Sequence, residues 1–118
     1  MSSRGPEMHL RDMLKAIVLI EQFIEGMDFQ AYLADLKTQA AVERELQIVT
    51  EAAYRLKPED EHLCPGPDWR KIRGMGNILC HDYDRLEDET IWNTAKVDLP
   101  PLKLAVTQAL ATHFPTAS

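Results

Sequence analysis

From Glu7 to about Gly26 the apolar residues Leu10, Met13, Leu14, Ile17, Val18, Phe23 and Ile24 return mostly at every third or fourth position. That is the period of one face of an α-helix. Gly26 supplies a stop, and Asp28 an N-cap for a short second helix, FQAYLAD. After Thr38 the pattern is cleanest: Val42, Leu46, Val49, Ala53 and Leu56 are spaced 4-3-4-3, with Glu43, Arg44, Glu45, Gln47 and Arg55 mostly off that line. A third helix follows, ended near Lys57 by Pro58. The stretch PEDEHLCPGPD, rich in proline, reads as a loop. Asp68 then caps a fourth helix from Trp69 to about His81, and a fifth runs from about Asp88 to Val97. Asp98 reads as a fresh N-cap, with Pro100 and Pro101 in the first turn of a last helix, LKLAVTQALATHF. Residues 1–6, MSSRGP, read as a flexible lead-in. No segment alternates with period two, so the pattern predicts an all-α bundle in a single domain over residues 1–118.

Composition narrows this picture. With 118 residues, 45% hydrophobic and 27% charged, the chain can bury a core and gains from self-association. The longest apolar run, AIVLI at 16–20, is too short to cross a bilayer, and no secretory signal pattern is visible. Two cysteines without paired spacings fit a reducing cytoplasm. A formal net charge of −6 argues against a protein that binds nucleic acid through bulk charge. The charge is uneven, however: WRKIR carries three positive charges and DYDRLEDE five acids against one arginine.

The candidate chemistry lies in WRKIRGMGNILCHDYDRLEDETIW, residues 69–92. At about 100° per residue, Ile72, Met75 and Leu79 fall within about 60° of one another, a stripe for the core. Arg73, Asn77 and His81, four apart, form a second stripe about 80° wide on another face. Such a row suits phosphodiester chemistry, since imidazole gives and takes protons near neutral pH and arginine forks onto phosphate oxygens. The same row also fits the solvated face of an amphipathic helix. Gly74 and Gly76 do not make a dinucleotide loop, which needs a third glycine and a preceding strand. Each glycine costs a helix interior about 0.8–1.0 kcal/mol relative to alanine, and close packing or the loss of a former side chain would account for them. His62, Cys64, Cys80 and His81 match no common zinc spacing, and neighbouring helical residues such as Cys80 and His81 diverge by about 100°, which also disfavours a Cys–His nucleophile. Trp69 and Trp92 read as core or interface aromatics.

Taken together, KTQAAVERELQIVTEAAYRL, DWRKIRGMGNILCHDY and IWNTAKVDLPPL resemble the HepT branch of the HEPN superfamily, small helical ribonuclease toxins of prokaryotes. The likeness covers about residues 8 to 110 in order and spacing, and the His-x-Tyr after a Trp-containing helix is its most specific part. It implies a HEPN-type up-and-down bundle of about five helices, paired as a homodimer whose two motif copies form one cleft. Two WRKIR patches facing that cleft would supply the local positive charge.

By the same resemblance His81, Asn77 and Tyr83 match the family histidine, asparagine and tyrosine, and position 76, arginine in the family pattern, is glycine here. The activity implied is that of a type VII-like toxin: metal-independent endo- or exoribonuclease action on tRNA or mRNA, without a cofactor. The partner implied is a minimal nucleotidyltransferase antitoxin of the MntA type, which transfers AMP from ATP to Tyr83. Asp82 lies between the histidine and the tyrosine, and Arg73 is the nearby arginine available to substitute in part for the missing one. Loss of a charged contact of this kind costs transition-state stabilisation on the order of 2.7–4 kcal/mol, or 10²- to 10³-fold in rate, by analogy with a lost oxyanion donor. Three expectations follow: an RNA-cleaving toxin subunit whose activity glycine at 76 puts in doubt, a catalytically dead subunit that engages the nucleotidyltransferase, or a plain helical dimer that uses an apolar face for protein interaction.

Overall fold

The computed structural model describes residues 5–81 and 88–116, with the backbone alone over 76–81. The described residues are helical with no strand. The elements are α1 (Pro6–Ile24), α2 (Phe29–Leu33), α3 (Leu36–Arg55), a 3₁₀ segment (Pro58–Leu63), α4 (Trp69–His81), α5 (Asp88–Asn93), a π-helical turn (Thr94–Asp98) and α6 (Leu99–His113). The all-α bundle expected from the periodicity is what forms.

The two longest helices, α1 and α3, pack along each other and form the spine, with α4 laid on α3 and α6 on α1. The reason is legible in the pattern. Leu10, Met13, Ile17 and Ile24 of α1 face Val42, Leu46, Val49 and Ala53 of α3, and all eight are buried. Leu56, which continues that line, is 1% exposed. Burying an aliphatic side chain of this kind contributes about 1.5–3 kcal/mol, so this seam dominates the core. Gly26, at φ +78°, turns the chain out of α1 through a conformation that side chains rarely adopt. α2 packs on α5 through aromatics: the Tyr32 ring lies 5.1 Å from Trp92, Phe29 6.1 Å from it, and Lys96 Nζ sits 5.5 Å from the indole centroid. Two ties fasten α6 to α1. Lys103 Nζ pairs with Glu21 at 2.8 Å, and an Arg11 guanidinium N–H donates to the Phe114 carbonyl at 3.0 Å.

Three boundaries differ from those the sequence suggests. The third helix begins before Thr38: Asp35 is its N-cap, its carboxylate accepting from both the Thr38 backbone N–H and the Thr38 hydroxyl. Those bonds hold the Asp35 carboxyl below its ordinary pKa. The early start also places Gln39 inside the bundle, where its amide donates to the Tyr32 and Leu33 carbonyls at the end of α2. The second difference lies at Pro58, which ends α3 yet opens a 3₁₀ segment, with Glu59, Asp60 and Glu61 at its N-terminal end where acids are favoured.

The third concerns Asp98, which stands at the N-cap position of α6 without capping it. Its backbone is helical and its side chain makes no capping bond, because the helix runs through it as a π turn in which the Leu99 N–H reaches back to Thr94. Pro100 and Pro101 lack the N–H that would otherwise continue the ladder, and the wider turn ahead of them accommodates that loss. Pro6, counted with the lead-in, is already the first residue of α1. Residues 1–4 of the lead-in lie outside the described residues.

Candidate functional site

α4 is held at its N-terminal half by four independent contacts. Asp68 caps it, its carboxylate accepting from the Lys71 N–H at 3.1 Å. Trp69 is 5% exposed and its indole N–H donates to the Cys64 carbonyl at 3.1 Å. Ile72 and Met75 pack against the core. The fourth contact is Arg73, whose Nε donates to the Ala53 carbonyl at 3.0 Å and whose Nη2 donates to the Leu56 carbonyl at 2.9 Å. The same guanidinium pairs with Glu61 of the 3₁₀ segment at 2.6 Å. The carbonyls at the end of a helix have no partner within it, and Arg73 satisfies two of them while adding a positive charge where the helix dipole favours one.

This placement changes the reading of Arg73. The sequence sets it on the Asn77–His81 stripe as a possible stand-in for the missing arginine. In the structure its guanidinium is committed to the end of α3 and to Glu61. Its Nε and Nη2 are taken by two carbonyls and a carboxylate, which leaves Nη1 as the edge a phosphate could meet. Asn77 and His81 lie on the described backbone of α4, four residues apart and so on neighbouring turns, and Gly76 precedes Asn77 in the chain, about 100° around the helix from it. Asp82 and Tyr83 lie outside the described residues.

One residue escaped the sequence reading. On the wheel of α4, Arg70 falls between Asn77 and His81, closer to both than Arg73 is to His81. It is exposed, as are Lys71 and Gly74, whereas Trp69 is buried and Ile72 half-buried. The signal was present in the sequence: tracing the stripe only in steps of four passes over a residue seven before Asn77, which is on the same face.

Of the cysteine and histidine set, Cys64 and His62 have described side chains. Cys64 is fully buried, and burial pushes its thiol up to about 11, so it stays protonated at neutral pH. His62 has its Nδ1 at 2.8 Å from the Glu59 carbonyl, within the 3₁₀ segment. Elsewhere a groove of about 400 Å³ runs between α1 and α3, lined in part by Asp12, Glu45 and Glu51 with Lys15 and Arg55. Three carboxylates in that lining suit a phosphate poorly. No described helix is long and apolar enough to cross a membrane.

Comparison with known proteins bears on the family. The family model for HepT-like ribonucleases matches residues 13–109. A protein of Thermococcus cleftensis named as a probable ribonuclease HepT is 37% identical over 100 residues, spanning 85% of this chain and 91% of that one. Proteins named as putative RNases from Methanocaldococcus jannaschii and Caldanaerobacter subterraneus are each 27% identical, over 90% and 91% of this chain and 97% and 96% of their own length. No solved structure matches the chain significantly. The match runs through α4 and covers most of the bundle: the chain belongs to the HepT-like ribonuclease family.

Proposed function

We propose that this chain is the toxin-lineage subunit of a two-component toxin–antitoxin pair, a metal-independent ribonuclease of tRNA or mRNA whose cleavage step is crippled by Gly76. The observation that carries this reading is the family match across residues 13–109, which includes the α4 register of Asn77 and His81. In metal-independent RNA cleavage the 2′-hydroxyl oxygen attacks phosphorus and gives up its proton, the P–O5′ bond breaks, and the leaving oxygen takes up a proton. His81 is the general acid/base for those transfers, and Asn77 orients the phosphate or the imidazole. What the site lacks is a cation for the charge that develops on the phosphoryl oxygens. Gly76 provides none, and Arg73 is occupied at the end of α3. Pairing of two copies brings two such faces to one cleft and concentrates positive charge on an otherwise acidic protein.

The partner in this reading is a minimal nucleotidyltransferase of the MntA type, and the modified group is the Tyr83 phenol. Its oxygen forms a bond to the α-phosphorus of ATP, the α–β phosphoanhydride breaks, pyrophosphate leaves and the phenolic proton is released. An anionic phosphodiester two residues from His81 repels RNA phosphates. Glycine at 76 together with the occupied Arg73 also favours a second reading, in which the chain no longer cleaves and serves only to engage that partner.

Restoring arginine separates the two. The Gly76→Arg protein is expected to cut purified tRNA, and Gly76→Arg combined with His81→Ala is expected not to, with dimer mass and helicity unchanged. Cleavage surviving in the double variant removes His81 from the mechanism. Absence of cleavage in both, with AMP still accepted from the partner, establishes the binding subunit instead.

A further inference from the structure

The three cations of the WRKIR segment stand in different places. Arg73 is fastened to the end of α3 and to Glu61. Lys71 is exposed but lies about 100° around the helix from Arg70. Arg70 is exposed and has neither hydrogen bond nor ion pair among the described residues. By helical register it shares one face with Gly74, Asn77 and His81, all within about 60°.

Gly74 sits between Arg70 and Asn77 on that face. A Cβ placed on it would meet nothing within 4 Å, so no packing among the described residues requires a glycine there. Glycine in a helix interior is unfavourable, and here its effect is to leave bare backbone between an exposed guanidinium and the reactive pair. Glycine in such a place lets another backbone approach closely.

We propose that Arg70 and the bare turn at Gly74 form a phosphate-binding subsite that holds the RNA strand on the α4 face one or two nucleotides from the bond being cut. The subsite rests on the ribonuclease reading above and adds to it the direction in which substrate lies: along α4 towards its N-terminus. Arg70 is about 10 Å along the axis from Asn77, between one and two phosphate-to-phosphate distances of an RNA strand, so it positions a neighbouring phosphate rather than the scissile one. The net charge of −6 sharpens the point, since an acidic body must hold RNA through a few well-placed cations. Arg70 is accordingly a binding residue whose loss weakens affinity for RNA.

The test is fluorescence anisotropy of a labelled single-stranded RNA dodecamer with the full-length protein across a range of salt. Arg70→Gln is expected to weaken binding about tenfold, the lower end for loss of a charge-assisted hydrogen bond. It is also expected to reduce the slope of log affinity against log salt by about 0.7 per subunit. Lys71→Gln, the same change of charge on another face, is expected to cost less than about twofold. Equal losses in the two variants overturn the subsite in favour of diffuse attraction, and no loss with Arg70→Gln overturns it outright. In either case RNA binding by the unsubstituted protein leaves the ribonuclease reading standing. If the unsubstituted protein does not bind RNA at all, that reading fails and the subsite with it.

Discussion

Arg70 and Arg73 are three residues apart and chemically identical, yet their surroundings give them different work. Arg73 donates to two carbonyls at the end of α3 and pairs with Glu61, and its side chain is 22% exposed. Replacing it with methionine keeps some of the packing and leaves both carbonyls without this donor. Hydrogen bonds to charged groups are worth about 1.5–3 kcal/mol each, and partial access of water to the freed carbonyls limits the loss, so Arg73→Met is expected to destabilise the fold by about 2–3 kcal/mol. Urea unfolding measures that loss, and the RNA affinity of the folded variant should change little. Unchanged stability with a large loss of RNA affinity would return Arg73 to the phosphate. The sequence shows that both arginines lie on α4 but not which one the end of α3 requires. That assignment depends on where Leu56 stops the preceding helix, a tertiary fact.

At the scale of elements, periodicity carried most of the information and local chain chemistry the rest. The 4-3-4-3 line of α3 is buried at every position, and Asp28 and Asp68 cap the helices their positions suggested. Asp98 failed because a proline pair after an aspartate looks the same whether a helix starts there or an existing one widens into a π turn. Asp35 was missed because Leu36, the first residue it caps, is 76% exposed and so breaks the apolar pattern used to find the start. α4 itself poses an open test. Alanine at position 74 adds a Cβ that meets nothing within 4 Å among the described residues, so Gly74→Ala is expected to stabilise the fold by about 0.8–1.0 kcal/mol. Chemical unfolding checks the sign. A loss of stability would mean that a second chain packs tightly on that turn, which is the place proposed here for RNA.

For the molecule as a whole, the bundle and the family were legible from sequence, because an all-α chain with this order of motifs is specified by its apolar faces and a few spaced residues. The state of the site was less so. The glycine at 76 is plain in the sequence, but whether another cation covers for it depends on which side chains the fold has already engaged, and the fold engages Arg73. The central claim is that the α4 face is a ribonuclease site lacking its transition-state cation. Its most direct test is the single-turnover cleavage rate of purified tRNA by this protein and by its Gly76→Arg version, measured without antitoxin. A rate higher by on the order of 10²- to 10³-fold in the arginine version is the expected result. Equal and substantial rates in the two would contradict the claim and show that another group already stabilises the phosphate.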